Sequence, residues 1–278
     1  SGHVKIVELL IKNSVEYNID LNGIELGQTG YQWSCEKGHV KIVELLVKNS
    51  VECNIDLNAK DRSGRTGFHC ACSNRQDKVV ELLIKNSVEF NMDLNAKNKF
   101  DGKTGFHYAC VIGQVKVVEL LVKNSVECNI DLNAKDKYEG KTGFHYACSS
   151  GNVKLVELLI KNSVEFNMDL NAKNEYYGKT GFHYACEKYQ KVKLVELLIK
   201  NSVECNIDLN AKDKYGETGY HLACQNSQVR IVELLIKNSV ECNIDLNAKV
   251  NGLTGYYYAC GSGHVNIVEC QSQWQKRL

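Results

Sequence analysis

The chain has 278 residues, of which 44% are hydrophobic, and it carries 34 Lys and Arg against 33 Asp and Glu. This near balance excludes a strong overall attraction to nucleic acid or to an anionic membrane, although it leaves room for a local basic patch. No apolar run approaches the ~18 residues that indicate a membrane-spanning helix.

One segment recurs along the whole chain, and a Thr-Gly pair marks each copy. A period of this size is typical of a stacked repeat array, in which each repeat contacts only its neighbours. We therefore predict one array over residues 1–278, with a partial first repeat at 1–23 and a polar C-terminal cap at 269–278. The Thr-Gly pairs begin at Thr29, Thr66, Thr104, Thr142, Thr180, Thr218 and Thr254. The repeats are predicted to start near residues 24, 62, 99, 137, 175, 214 and 250.

The first segment, from Gly2 to Asn22, matches only the second half of this repeat. It predicts a helix from His3 to Asn13 whose apolar face lacks the neighbour that other copies have. We expect this helix to fray or to self-associate, and we expect the chain to be part of a longer array.

The copy at residues 141–173 shows the predicted elements of one repeat. A short first helix is predicted from Gly143 to Ser149, with Thr142 at its N-cap. Gly151 and Asn152 supply a turn.

A second, amphipathic helix is predicted to start near Val153. Asn162 is expected to end it in the left-handed conformation of a helix C-cap. The residues predicted to face inward are Leu155, Val156, Leu158 and Leu159. The residues predicted to face outward are Lys154, Glu157 and Lys161.

The stretch from Val164 to Asn171 alternates apolar and polar residues, and this pattern favours an extended segment. A further turn of the second helix is the alternative. Residues 172–179 then predict a polar hairpin that leads to the next Thr-Gly pair.

These residues resemble the ankyrin repeat. The family's Thr-Pro-Leu-His-x-Ala-Ala is similar to Thr142–Cys148, and its Gly-His-x-x-(Ile/Val)-Val-x-Leu-Leu-Leu is similar to Gly38–Val47. The family's Asp-(Val/Ile)-Asn-Ala is similar to Asp56–Ala59. The resemblance covers nearly the whole chain and implies an all-α solenoid of helix-turn-helix repeats with β-hairpin-like finger loops.

The chain departs from that family in three ways. Its repeat is longer than the family's ~33 residues, mainly through the Asn-Ser-Val-Glu-(Cys/Phe)-Asn insert. Gly replaces the family's Pro in every copy, and we expect each first helix to be less rigid in consequence. Residues 75–77 and the extra residue near 189–191 are expected to distort their turns.

Thirteen cysteines are present, and seven occupy one repeat position. Neighbouring repeats are stacked about 10 Å apart, whereas a disulfide needs Cα atoms within about 7 Å. We therefore expect this column to be reduced, metal-free and buried, as in a reducing cytoplasmic compartment, with the nucleus as an alternative. The column comprises Cys35, Cys72, Cys110, Cys148, Cys186, Cys224 and Cys260.

His and Cys recur at His-x-x-Cys spacing, which could indicate metal ligands or a nucleophile–base pair. One His and one Cys per repeat fall short of the four ligands that a zinc site usually has. An active site normally occurs once in a chain, whereas this pair recurs in several repeats. We instead expect each His to bond the neighbouring Thr and the backbone. The sequence therefore predicts no enzyme, no cofactor and no small-molecule substrate.

The hairpin tips vary between copies while the hydrophobic frame is nearly constant. In proteins that resemble the ankyrin family, these positions line the concave face and contact partners. Aromatic and cationic residues are also enriched at interface hot spots. The candidate partner-binding residues are Arg65, Phe100, Lys103, Tyr138, Lys141, Tyr176, Tyr177, Lys179 and Tyr215.

We therefore predict a scaffold that binds an unidentified protein partner through its concave finger and first-helix face. Two alternatives are a structural spacer in a larger repeat protein and a binder of nucleic acid or another acidic ligand. The second alternative would use the row Arg65, Lys103, Lys141 and Lys179.

Overall fold

The computed structural model describes residues 3–187 and 191–263. They fall into two compact units that divide between Tyr138 and Glu139, within one finger. Both units are built from the same helix pair, and the single continuous array over the whole chain stays a prediction. The first unit contains α1 (Val4–Ser14), α2 (Gly30–Lys37), α3 (Val40–Lys48), α4 (Gly67–Ser73), α5 (Asp77–Ser87), α6 (Gly105–Ile112) and α7 (Val115–Lys123). The second contains α8 (Gly143–Ser150), α9 (Val153–Ser163), α10 (Gly181–Glu187), α11 (Val192–Lys200), α12 (Gly219–Gln225), α13 (Val229–Lys237) and α14 (Gly255–Gly261).

Each unit has two helix layers with the core between them. In the first unit the short first helices α2, α4 and α6 pack side by side, and the second helices α1, α3, α5 and α7 form the other layer. The second unit repeats this arrangement, with α8, α10, α12 and α14 in one layer and α9, α11 and α13 in the other. The predicted all-α repeat solenoid is confirmed.

A Thr and a His begin most of the first helices together. Thr180 donates its backbone N–H to Nδ1 of His183 at 3.1 Å, and Nε2 of the same ring contacts the carbonyl oxygen of Glu217 at 3.0 Å. The ring therefore caps its own helix and reaches the finger of the next repeat. This confirms the predicted N-cap position and the structural role of the histidine.

The apolar stripe of the second helix is shifted from its predicted position. In α9 the side chains of Leu155, Val156, Leu159 and Ile160 are buried, whereas Leu158 is only half-buried. The prediction that Leu158 is buried is therefore wrong. At about 100° per residue, Leu158 points well away from the centre of the buried stripe.

The insert continues the second helix for one more turn, so the favoured extended conformation is wrong and the alternative is correct. Phe166 N–H donates to the carbonyl of Asn162 at 3.0 Å, and Met168 N–H donates to that of Ser163 at 2.8 Å. Asn167 between them has φ of 48°. This is a Schellman ending with Asn in the left-handed position. The predicted left-handed Asn162 is also wrong, because its backbone still belongs to α9.

The fingers are closed mainly by turns. Within the described residues, paired strands occur at β1 (Ile24–Glu25) and β2 (Gln28–Thr29), which are antiparallel with Ile24 opposite Thr29. An isolated antiparallel bridge joins Val250 and Leu253, and other fingers are closed by turn bonds such as that from Asn174 N–H to the Lys179 carbonyl at 2.9 Å.

Neighbouring fingers are also linked through their backbones. In the first unit Lys99 N–H donates to Ser63 at 2.9 Å and Lys137 N–H donates to Asp101 at 2.8 Å. These bonds fix the positions of successive fingertips.

One of the two turns that were predicted to be distorted lies within the described residues. Arg75 takes φ of 58° where the next repeat has Gly113, so the predicted distortion is confined to backbone strain at one residue. Residues 189 and 190 lie outside the described residues. Beside them, buried Lys191 donates Nζ to the carbonyls of Cys148, Ser149 and Tyr184 at 2.8–3.0 Å.

Candidate partner-binding surface

The fingertips expose large aromatic side chains in both units. Phe100 and Tyr138 in the first unit are 60% and 67% exposed, and Tyr176 and Tyr215 in the second are 62% and 63% exposed. Tyr177 is half-buried and packs edge-on against Tyr176, with ring centroids 4.6 Å apart. The four exposed rings are therefore available to a partner, and Tyr177 supports one of them.

The cations that follow each tip are paired with carboxylates. In the first unit Arg65 Nε lies 2.8 Å from Asp61, and Lys103 Nζ lies 2.7 Å from Asp101. All four predicted cationic side chains are largely buried, with 12–29% exposure. In the second unit the pairs are Lys141 with Glu139 at 2.8 Å and Lys179 with Glu187 at 2.9 Å.

These pairs hold the bases of the fingers and do not form a row of free positive charge. Their direct contact with a partner stays a prediction. The acidic-ligand alternative loses its main support, because each cation already has a counter-ion within hydrogen-bond distance.

Tyrosines of the first helices surround one of these cations. Lys141 Nζ lies 4.7 Å from the ring centroid of Tyr184 and 5.7 Å from that of Tyr146. Burial, followed by the negative charges of Glu139 and Glu187, raises the pKa of Tyr184, so its hydroxyl stays protonated. Lys141 is thus held among two rings and a carboxylate.

Sequence reasoning missed this tyrosine cluster. Its signal was present, since a Tyr follows the helix-start His at positions 108, 146 and 184. The equivalent position in the first repeat is Trp33, which is 45% exposed and lies 4.5 Å from Lys37 Nζ. Tyr184 is buried, whereas Trp33 is exposed and Tyr108 and Tyr146 are half-buried. In each unit we call these three first-helix rings and the exposed fingertip aromatics Phe100, Tyr138, Tyr176 and Tyr215 the finger surface.

The cysteine column lies mostly in the core. Cys35, Cys72, Cys110, Cys148, Cys186 and Cys224 are buried, but Cys260 on α14 is exposed, so the prediction of burial is wrong at that residue. Among the described residues no helix follows α14 to cover it.

Burial raises the pKa of the Cys70 thiol to about 12. A thiol with so high a pKa is a poor nucleophile at neutral pH. Across residues 3–187 and 191–263, no group of three or more His, Cys, Asp or Glu side chains is arranged to hold a metal ion.

The helices of the described ranges are all too short, or too polar, to cross a bilayer.

Comparison with known proteins adds a family and two solved structures. A family model for ankyrin repeats, in three copies, matches residues 1–93, 50–136, 89–169, 123–213 and 182–270. The comparison with curated proteins finds no significant match.

The ankyrin repeat domain of Bcl-3, described as a unique member of the IkappaB protein family, is similar to this chain with a TM-score of 0.73 and 22% identity. The match covers 88% of this chain and 100% of that one. The ankyrin repeat protein EF0377 is similar with a TM-score of 0.62 and 21% identity, over 77% of this chain and 98% of that one. At these identities the likeness shows the fold alone.

Proposed function

The chain belongs to the ankyrin repeat family, whose repeats are in general non-enzymatic protein–protein interaction modules, and on that basis we propose that it binds a partner protein through its finger surface. The observation that carries this proposal is the exposure of fingertip aromatics at 60–67% in both units. Large exposed aromatics on an ordered backbone are the side chains that most often anchor interfaces.

The fingers are suited to rigid recognition. Backbone bonds of 2.8–2.9 Å join Lys99 to Ser63 and Lys137 to Asp101, and ion pairs brace the finger bases. A surface that is already ordered loses less conformational entropy on binding. We propose that Phe100, Tyr138, Tyr176 and Tyr215 make the anchoring contacts and that the paired cations hold the fingers in position.

The test is titration of a captured partner against single variants of the chain. Tyr138→Ala is expected to weaken binding by ~2 kcal/mol or more, as loss of an interface anchor does. Lys154→Ala is expected to change binding by less than about 0.5 kcal/mol, because its exposed side chain belongs to the second helix α9 and not to a fingertip.

Val126→Ala is a matched control in the same unit as Tyr138. Val126 is 79% exposed on the insert turn, so its substitution by Ala removes exposed apolar surface without changing a finger. Each variant must retain the helical circular dichroism of the parent. The proposal is wrong if Lys154→Ala or Val126→Ala weakens binding more than Tyr138→Ala.

A further inference from the structure

A second set of cations, distinct from the ion-paired row, surrounds the fingertip aromatics of the first unit. All five are exposed, and none of them forms an ion pair with a described carboxylate. They are Lys60, Arg62, Lys97, Lys99 and Lys137.

The acidic residues of the same fingers are buried or ion-paired, including the partly exposed Glu139, which pairs with Lys141. Asp61 is buried, accepts the backbone N–H groups of Ser63 and Arg65 at 2.8 Å, and pairs with the Arg65 side chain. Asp101 pairs with Lys103, and Asp136 is buried at 6% exposure. The exposed charge of these fingertips is therefore positive.

The insert turns of this unit carry the opposite charge. Each presents one Glu and one Asp with exposed side chains, and no described cation pairs with them. In the first unit, the balanced composition of the chain thus conceals a separation of charge between the fingertips and the insert turns. The exposed acids are Glu16, Asp20, Glu52, Asp56, Glu89, Asp93, Glu127 and Asp131.

We propose that the fingers of the first unit bind an acidic peptide segment of the partner that also carries aromatic or aliphatic side chains. Phe100 and Tyr138 contact its apolar groups, and Lys99 and Lys137, each next to one of these rings, contact its carboxylates. This inference rests on the proposed function and adds the chemistry of the partner to it.

Complementary charge raises the rate of encounter, and buried aromatic anchors slow dissociation. At the fingertips the exposed charge is positive, whereas exposed acids occupy the insert turns of the same repeats. A long nucleic acid binds best along a continuous positive track. A short acidic peptide fits this limited patch better.

The test is selection of binders from an unbiased display library of random peptides about 12 residues long, using the whole chain as bait. Net-acidic sequences that contain aromatic or aliphatic residues are expected to be enriched. Synthetic copies of the enriched peptides are then titrated by fluorescence anisotropy.

The double variant Lys99→Glu with Lys137→Glu is expected to bind these peptides at least about tenfold more weakly than the parent chain does. The control Lys41→Glu with Lys78→Glu makes the same charge change at exposed positions on α3 and α5 and is expected to change binding less than about twofold. A single-stranded oligonucleotide of about 20 nucleotides serves as the competing probe.

Neutral or basic binders, the absence of any enrichment, or equal losses in the two double variants would overturn the inference. The oligonucleotide could instead bind more tightly than the peptides and lose this binding in the double variant Lys99→Glu with Lys137→Glu. That result would show that the fingers bind nucleic acid and not an acidic peptide.

Two alanine variants separate this inference from the proposed function. If the selected peptides lack acidic bias but lose affinity with Phe100→Ala and Tyr138→Ala, the finger surface stands and only the acidic chemistry fails. If acidic peptides bind equally to both alanine variants and to the finger charge variant, the finger surface itself is wrong.

Discussion

At the scale of single residues, the helix-start histidine His183 is bonded as a neutral ring. In His183, Nδ1 accepts the Thr180 N–H at 3.1 Å and Nε2 faces the Glu217 carbonyl at 3.0 Å, so the proton lies on Nε2. A second proton on Nδ1 would oppose the Thr180 N–H. Burial is the main cause that lowers the pKa of His183 from its ordinary value.

This lowered pKa predicts acid sensitivity. The unfolded chain takes up a proton at the ordinary histidine pKa of about 6.5, while the folded chain resists it, so the free energy of unfolding should fall as pH drops below ~6.5. His183→Gln should flatten this dependence between about pH 7 and pH 5 in urea unfolding.

Gln32 shows that glutamine can replace this histidine. It accepts the Thr29 N–H at 2.8 Å and donates to the carbonyls of Ala59 and Arg65 at 2.8 Å. His183→Ala is the control, since it should destabilise the chain at every pH. An unchanged pH slope in His183→Gln would contradict the prediction.

Adjacent leucines of α9 should differ in their contribution to stability. Leu159 is fully buried, so Leu159→Ala should lower the free energy of unfolding by ~2–5 kcal/mol. Leu158 is half-buried, so Leu158→Ala should cost clearly less. Urea unfolding of the two variants measures the difference, and equal losses would show that both lie in the core.

At the scale of elements, the glycine that replaces the family's Pro makes room for an aromatic ring. A Cβ on Gly219 would lie 2.6 Å from Cε1 of Phe182 and 3.0 Å from Sγ of Cys186, both on the preceding first helix. Gly67 stands in the same relation to Tyr31, also at 2.6 Å. The close packing of successive first helices therefore depends on this glycine.

Gly219→Ala should lower the free energy of unfolding by ~1–3 kcal/mol, because it overpacks a filled contact. Gly30 is the matched control, since it begins α2 at the same position and an added Cβ would meet nothing within 4 Å. Gly30→Ala should be neutral or stabilising by up to ~1 kcal/mol. A similar loss of stability in both variants would show that the substitution acts on helix capping and not on the contact with the aromatic ring.

Helix α1 should be the least protected of the second helices. Ile6, Leu9 and Leu10 are 55%, 62% and 42% exposed, so α1 buries little of its apolar stripe. Backbone amides of α1 should exchange faster than those of α9, because local opening exposes little additional apolar surface. Hydrogen exchange followed by mass spectrometry measures this, and equal protection of the two helices would contradict it.

The sequence predicted first helices and their caps better than the inserts. A Thr followed three residues later by His is a local capping pattern. Whether the cap forms depends only on residues within one helical turn. In the insert, alternation of apolar residues favoured an extended chain, yet Met168 and Leu170 are buried after a helical turn that ends at Asn167. Packing against neighbouring repeats can override a short local pattern.

At the scale of the whole molecule, near-identical copies make the chain modular. Within each unit, a repeat packs on its sequence neighbours, so the stability of a unit should be close to a sum over its repeats and their interfaces. Residues 142–179 form one period, and their removal joins Lys141 directly to Thr180. The original Lys-Thr junction is thereby recreated.

Deletion of residues 142–179 should therefore leave a helical chain that still unfolds cooperatively, with lower stability because one repeat and one interface are lost. Deletion of residues 142–160 should disrupt folding, since it removes about half a period and joins unlike elements. Circular dichroism with urea titration compares the two deletions. Equal behaviour would show that register between repeats does not determine the fold.

The sequence by itself determined the family, the period of the array, the helix pair and the capping His, because these follow from local patterns that recur in every copy. The tertiary structure decided which leucine enters the core, which fingertip cations are neutralised and which stay exposed. It also decided that Gly219 must accommodate Phe182, at residues 37 positions apart. The burial of a leucine and the Gly219 contact depend on neighbouring repeats. The ion pairs join residues two to eight positions apart, but the repeat pattern does not specify which side chains meet.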